Sequence, residues 1–322
     1  MLHKLVEYHW LEHIDDALLL LGRLDVKTVP LAGGTYLLGL HDDTIQAVVD
    51  LRDLGLAYIS ENQQGLHIGA MTTLQAMVDA PLLKGYASGL LARAALVSSS
   101  SRLIRNCATI GGTIAVGTAA QADLLTALAA LDAEVVVRSG SRTEVNLSGG
   151  THERPGLALS GVVFKGKQER RPSSLLFSQE RRPNELIIEV VVPPLATGSG
   201  AALLRIARTP SDSALLNVAA LVEIAEGMYR RVRLAFGGIN MEPVRVRAIE
   251  RQLEGQPISR PLDTQRILAA VRNGITEFRP PADPQASSGY RRVSGTSLAY
   301  RALEEAASIA LWRGVVSSEK GG

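Results

Sequence analysis

Two short glycine turns hold the residues of this sequence that are best suited to bind an anion. Gly33-Gly34-Thr35 is repeated later in the chain as Gly111-Gly112-Thr113, which follows Thr109. Glycine permits close approach to the backbone, because it has no Cβ and tolerates positive φ. Backbone N–H groups that are open in such turns bind phosphate, and threonine hydroxyls add donors. The repeat predicts two anion-binding turns that suit a diphosphate if they face each other, although either turn alone also fits a purely structural corner.

Other residue patterns in the sequence favour no further chemistry. His9 and His13 share a helical face without a third ligand nearby, and His152 lacks the second histidine of a metalloprotease helix. Cys107 is the only cysteine, whereas an iron–sulfur cluster needs about four thiolates. The segment 198–203 lacks the third glycine of a dinucleotide fingerprint and leads into a strand pattern. We therefore expect neither a metal centre nor a Rossmann site in this chain.

Length and composition predict a globular protein of two domains. The chain has 322 residues, of which 46% are hydrophobic and 20% are charged. Its formal net charge of +2 is too small for a nucleic-acid surface. No apolar stretch reaches the ~18 residues of a membrane span, and the start of the chain lacks a signal-peptide pattern. With one cysteine in the sequence, these features favour a reduced, cytoplasmic setting.

The elements that must position the turns fall into two regions with different patterns. Residues 1–194 alternate helix and strand patterns, with a boundary near Pro193-Pro194, and residues 195–322 show strands followed by helices. Thr72 and Gln75 match a capping box at the start of a helix. In the first region we predict helices at 14–21, 82–99 and 122–131, strands at 28–32, 47–51, 66–70, 134–138 and 186–192, and a loop at 149–183 broken by one strand at 162–164. In the second region we predict strands at 202–207, 216–225 and 231–236 and helices at 244–253, 264–274 and 297–311.

Several motifs, spread in the same order over nearly the whole chain, resemble those of one protein family. The two turns lie in Leu31–Leu38 and Ile104–Ile114, and the other matches are Ala122–Leu125, Leu128–Ala133, Asn184–Val190, Phe236-Gly237-Gly238, Tyr290-Arg291-Arg292 and Tyr300–Glu304. They resemble the FAD-binding subunit, or medium chain, of the molybdenum hydroxylases, which include carbon monoxide dehydrogenase and xanthine dehydrogenase. This co-occurrence is far more specific than any single turn.

The resemblance implies an α+β fold, in which a two-lobed FAD-binding domain of the PCMH/vanillyl-alcohol-oxidase-like type precedes a small C-terminal domain with an antiparallel sheet and helices. It implies that both turns wrap the FAD pyrophosphate, that Asp123 accepts a hydrogen bond from a cofactor hydroxyl, that Leu186 to Ile188 pack on the isoalloxazine ring, and that Arg205 reaches toward the flavin. The cofactor-binding residues implied are Ala32, Gly33, Gly34, Thr35, Tyr36, Leu37, Thr109, Ile110, Gly111, Gly112, Thr113, Asp123, Leu186, Ile187 and Arg205.

The same resemblance implies an electron-relay function within a larger complex. A partner with the molybdenum cofactor would oxidise the substrate, a partner with [2Fe–2S] clusters would conduct electrons, and FAD in this chain would deliver them to NAD, a quinone or oxygen. Two alternatives remain open, a free-standing flavin oxidase and a non-catalytic paralogue. The paralogue is suggested because the stretch between Gly112 and Asp123 lacks the family's proline and is one residue longer. Tyr36 stands where the family often has a small or acidic residue, which implies a different contact between this loop and the cofactor. From the residues alone, Asp123 also fits a helix cap and Leu186 to Ile188 fit an ordinary core.

Overall fold

The fold was analysed in a computed structural model, which describes residues 2–118, 122–144, 162–173, 184–238 and 243–319. The first lobe is built on a parallel three-stranded sheet in the order β1-β3-β2. Its helix α1 packs Ala17, Leu18 and Leu21 into one cluster with Val49 of the sheet. The elements are β1 Glu7–Trp10, α1 Ile14–Leu21, β2 Thr28–Leu31 and β3 Ala47–Asp50. This lobe brings the first glycine turn to the end of β2.

The second lobe is built on an antiparallel five-stranded sheet in the order β4-β5-β8-β6-β7. Buried leucines and alanines of its helices pack against this sheet in a single core. Its strands are β4 Ile59–Asn62, β5 Gly65–Gly69, β6 Glu134–Glu144, β7 Val162–Pro172 and β8 Glu185–Val192. Its helices are α2 Leu74–Asp79, α3 Pro81–Gly85, α4 Leu90–Val97, α5 Arg102–Cys107, α6 Ile110–Val116 and α7 Ala122–Ala130.

Several sequence predictions in this lobe were wrong in detail. The strand predicted at 134–138 extends to Glu144. The strand within the predicted 149–183 loop extends over Val162–Pro172, because it pairs along its full length with β6; residues 149–161 and 174–183 lie outside the described residues. The predicted helix 82–99 is broken at Ala87 and Ser88, whose φ values are 46° and 58°. The break lets Ser88 Oγ accept a hydrogen bond of 3.1 Å from the backbone N–H of Ala201.

The predicted capping box is displaced by one residue. Thr73 caps α2 by accepting a hydrogen bond of 3.1 Å from the N–H of Ala76. The hydroxyl of Thr72 donates to the carbonyl of Tyr58 at 2.9 Å, and Gln75 donates to Asp79. The hydroxyl of Thr72 is therefore taken by a tertiary contact that the local sequence does not reveal.

The C-terminal region forms an antiparallel four-stranded sheet in the order β12-β11-β10-β9. The sequence predicted three of these strands and placed residues 244–245 in a helix, whereas they pair with β11 as a fourth strand. The final helix was predicted at 297–311 and extends over Ser288–Glu319. One face of the sheet, with Ala201, Ala219, Leu221 and Ala235, joins the core of the second lobe. The opposite face packs against the long final helix. The elements are β9 Ser199–Ile206, β10 Leu216–Ala225, β11 Met228–Gly237, β12 Val244–Arg245, α8 Arg247–Leu253, α9 Thr264–Gly274 and α10 Ser288–Glu319. Across the part of the chain that the structure describes, no helix has the length and hydrophobicity needed to cross a membrane.

Candidate functional site

A cavity of about 450 Å³ lies where the first lobe meets the second. This volume falls in the range of about 300–1,000 Å³ that is typical of small-molecule sites. Its walls are mainly apolar, and Glu185 is the only acidic or basic side chain among the described residues that form them. The lining residues are Val29, Pro30, Ala32–Leu37, Leu51, Ala70, Met71, Leu74, Ser98, Ser99, Ile104, Ala108, Thr109, Gly111–Thr113, Ala115, Val116, Val137 and Glu185–Ile187.

Both glycine turns line this cavity and lie in direct contact. A Cβ added to Gly33 would lie 1.7 Å from the carbonyl oxygen of Cys107, so the first turn packs on backbone that leads into the second. A Cβ added to Gly112 would lie 3.9 Å from the Cβ of Ala32. A Cβ added to Gly111 would lie 2.7 Å from the Cβ of Ala70. Close packing therefore requires glycine at positions 33 and 111, and the turns share one cavity, as the diphosphate hypothesis requires.

The first turn presents open hydrogen-bond donors. Gly34 has a φ of 70°, a left-handed conformation that favours glycine, and its carbonyl accepts a hydrogen bond from Leu38 N–H at 3.1 Å. The backbone N–H groups of residues 33–36 have no acceptor within the ranges that the structure describes. Consecutive open N–H groups form a concave site for an anion. The first turn therefore has the open N–H groups that the sequence predicted, and its binding of a diphosphate stays a prediction.

The second turn has no such free donors, so the prediction of open N–H groups there was wrong. Ile110 N–H donates to Thr72 O at 3.0 Å, and Gly111 N–H donates to Ala70 O at 2.9 Å. Gly112 N–H donates to Thr109 Oγ1 at 3.0 Å, and Thr113 N–H donates to Thr109 O at 2.9 Å. Thr109 thus caps α6, and the glycines form the first turn of that helix. This turn offers a smooth backbone wall in place of an anion cradle.

Three of the cofactor-binding residues named from the sequence do not line the cavity among the described residues: Ile110, Asp123 and Arg205. Ile110 lies in the core of the second lobe. Asp123 is buried, accepts a hydrogen bond of 2.7 Å from Asn217 Nδ2, and lies 3.5 Å from Arg205 Nε. Burial raises the pKa of Asp123, while Arg205 and Asn217 oppose the shift. The proposed roles of these residues stay predictions.

Most of the other cavity residues were missed by sequence reasoning, because they are ordinary apolar residues brought from distant segments. Glu185 is the exception, since a carboxylate beside the apolar run 186–192 is a visible signal. Its carboxylate is bound by Arg171 through two contacts, at 2.8 Å from Nη2 and 3.2 Å from Nη1. Hydrogen bonds to Glu185 and Glu169 raise the pKa of Arg171. The missed lining residues are Val29, Pro30, Leu51, Ala70, Met71, Leu74, Ser98, Ser99, Ile104, Ala108, Ala115, Val116, Val137 and Glu185.

Comparison with known proteins gives matches over nearly the whole chain. Residues 4–195 match the FAD binding domain in molybdopterin dehydrogenase, and residues 202–306 match the CO dehydrogenase flavoprotein C-terminal domain. The glyceraldehyde dehydrogenase medium chain of Sulfolobus acidocaldarius is 27% identical over 92% of this chain and 96% of its own. The xanthine dehydrogenase FAD-binding subunit of Escherichia coli is 26% identical over 94% of this chain and 96% of its own.

A solved structure shares the fold. The carbon monoxide dehydrogenase of Hydrogenophaga pseudoflava aligns with a TM-score of 0.77 and 24% identity, covering 96% of this chain and 99% of the matched chain. The family model of the first region spans more than half of the chain, and the relatives above align from end to end. The chain therefore belongs to the family of FAD-binding subunits of the molybdenum hydroxylases, the carbon monoxide and xanthine dehydrogenase type that its motifs predict.

Proposed function

We propose that this chain binds FAD in the cavity between its two N-terminal lobes and relays electrons as the flavin subunit of a molybdenum hydroxylase complex. The observation that carries the proposal is the row of open N–H groups at residues 33–36, at the edge of an otherwise apolar cavity. A diphosphate needs such donors, and an isoalloxazine ring needs apolar walls. The two requirements meet in one cavity.

The first turn fits a diphosphate better than any neutral group. Gly33 and Gly34 leave the cradle free of side chains, and a Cβ at Gly34 would lie 3.0 Å from Leu38 Cδ1. Thr35 adds a hydroxyl to the cavity wall. On the proposal, residues 32–37 hold the FAD diphosphate, and Gly111 and Gly112 form the wall against which it packs.

We propose that the flavin ring packs on Leu186 and Ile187, which line the same cavity beside Glu185. Bound flavin supplies two-electron and one-electron redox chemistry. Apolar packing by these two side chains would exclude water from the ring, and the Arg171–Glu185 ion pair would hold the start of β8 in place. We propose that Asp123 accepts a hydrogen bond from a cofactor hydroxyl and that Arg205 reaches toward the flavin ring. Because Asp123 and Arg205 contact each other in this structure, binding FAD would replace part of that ion pair with contacts to the cofactor.

The relay direction follows from the partners that the family membership suggests. The electron donors would be [2Fe–2S] clusters of an iron–sulfur small subunit, fed by a molybdopterin-binding large subunit, and the acceptor would be NAD, a quinone or oxygen. A single cysteine in this chain agrees with clusters held elsewhere. We also propose a cytoplasmic setting and a domain boundary near residue 195, so that residues 1–194 bind FAD and residues 195–322 form a closing domain.

The proposal is tested in two measurements on the purified full chain. An absorbance spectrum should show oxidised flavin, or the flavin bands should appear after incubation with FAD. A colourless chain that takes up no FAD would contradict flavin binding and favour the non-catalytic paralogue. Co-purification from the native organism should recover chains that contain iron and molybdenum. Flavin binding without those chains, together with turnover of a substrate, would favour a free-standing oxidase.

A further inference from the structure

A buried guanidinium lies directly behind the cavity wall. Arg105 belongs to α5, follows the cavity residue Ile104 and is 8% exposed. Its Nε donates to Gln75 Oε1 at 2.9 Å. Its Nη1 donates to the carbonyl oxygens of Ser99 at 2.6 Å and Ser100 at 3.1 Å. Because Ser99 also lines the cavity, Arg105 holds this part of the wall from behind.

All the acceptors of Arg105 are neutral. No carboxylate within the described ranges lies within 4.0 Å of its guanidinium, so it forms none of the ion pairs found there. Arg291, the other arginine with so little exposure, lies 2.7 Å from the carboxylate of Asp283. A buried charge without a counter-ion is costly, and proteins normally pair it. Arg105 is connected to a carboxylate only through Gln75, whose Nε2 donates to Asp79 at 3.0 Å, so its guanidinium has no direct counter-ion among the described residues.

The cavity explains this unpaired charge. Its described walls contain no lysine or arginine, so the open N–H groups of residues 33–36 would face a diphosphate without a lining cation. Given the FAD site proposed above, on which this inference rests, we propose that Arg105 is a positioning residue that selects a diphosphate-bearing ligand. It acts in two ways, since it fixes the carbonyls of Ser99 and Ser100 and places a permanent positive charge behind the wall.

The test compares a charged with an uncharged flavin. The full chain, freed of bound flavin, is titrated with FAD and with riboflavin, which carries the ring without phosphate. Arg105→Gln should weaken FAD binding roughly tenfold, the effect of one full charge at about 10 Å in a medium of dielectric constant near 20, and should leave riboflavin binding within about twofold. Arg105→Lys keeps the charge and should restore most of the preference for FAD.

The matched control is Arg102→Gln, because Arg102 lies on the same helix with its side chain exposed. It should change neither titration. Equal weakening of FAD and riboflavin in Arg105→Gln would show a purely structural role and overturn the inference, as would an unchanged preference for FAD.

A second measurement separates this inference from the FAD proposal. Inorganic pyrophosphate should raise the melting temperature of the wild type and of Arg105→Lys, but not of Arg105→Gln. A wild type that binds pyrophosphate and no flavin would contradict the FAD site while supporting the role of Arg105. A wild type that responds to neither ligand would overturn both. Circular dichroism checks that each variant is folded.

Discussion

The two turns have the same sequence, Gly-Gly-Thr, and line the same cavity, but they contribute different surfaces to it. The first turn, at residues 33–35, leaves its N–H groups open, whereas the second, at residues 111–113, uses its N–H groups in internal hydrogen bonds. The residue two positions before each glycine pair accounts for one of these internal hydrogen bonds, that of the Gly112 N–H. It is Thr109 in the second turn, which caps a helix, and Leu31 in the first turn, which has no hydroxyl. An identical motif therefore leaves its N–H groups open or uses them in internal hydrogen bonds, according to its neighbours.

The largest effect should come from Gly33→Ala, because the added Cβ would lie 1.7 Å from the carbonyl oxygen of Cys107. The backbone of the first turn would have to move, at a cost of about 3 kcal/mol in the free energy of unfolding, and FAD binding should be lost. Urea unfolding and FAD titration measure the two effects. Gly39→Ala is the control, since nothing lies within 4 Å of a Cβ there. Normal FAD affinity in Gly33→Ala would show that the first turn is not the diphosphate cradle.

Gly111→Ala tests the difference between the two turns, because it should affect the second turn through packing alone. Its Cβ would lie 2.7 Å from Ala70 Cβ and 2.8 Å from Ala70 O. We expect the free energy of unfolding to fall by about 2 kcal/mol. FAD titration at a temperature where the variant is folded should show a smaller loss of affinity than in Gly33→Ala. The reverse order of the two affinities would contradict the assignment of the cradle to the first turn.

A smaller effect is expected from Thr109→Ala, which removes the cap of α6. The N–H of Gly112 would lose its acceptor, at a cost of about 1 kcal/mol in the free energy of unfolding. Thr109→Ser keeps the hydroxyl and should behave as the wild type in the same chemical denaturation. If Thr109→Ala instead kept its stability but bound FAD far more weakly, the second turn would have to contact the ligand through Thr109.

The smallest effect concerns Asp123, which is already hydrogen-bonded internally, like the N–H groups of the second turn. Burial raises its pKa in the folded chain above the unfolded value of about 3.9. From about pH 4 up to its folded pKa, Asp123 therefore keeps more of its proton in the folded state than in the unfolded state. The free energy of unfolding should therefore decrease with pH in this window more steeply for the wild type than for Asp123→Asn. Denaturation at several pH values measures the difference. Parallel pH profiles would show that Asp123 has no raised pKa.

Local sequence patterns predicted the elements with a strong apolar signal. Helix α9 at Thr264–Gly274 and strand β10 at Leu216–Ala225 have the predicted bounds, because α9 buries one face with helical periodicity and β10 is an apolar run that is buried on both faces. The break at Ala87 and Ser88 was missed because the alanines and leucines of the segment favour a helix, although Gly85 and Gly89 also lie in it. Ser88 there accepts a hydrogen bond from Ala201, more than a hundred residues away. Strong apolar patterns thus predicted whole elements, and this interruption was missed.

The sequence by itself determined the family, the α+β architecture and the chemical type of the site, because glycine turns and their order along the chain do not depend on packing details. Only the tertiary structure decided which turn keeps its donors free. That choice depends on the carbonyls of Ala70 and Thr72, which come from another segment and accept the N–H groups of Gly111 and Ile110. The same holds for Arg105, whose unpaired charge becomes visible only when the residues around it are known. The sequence shows which residues carry hydrogen-bond donors and charges, but the fold determines which groups they contact.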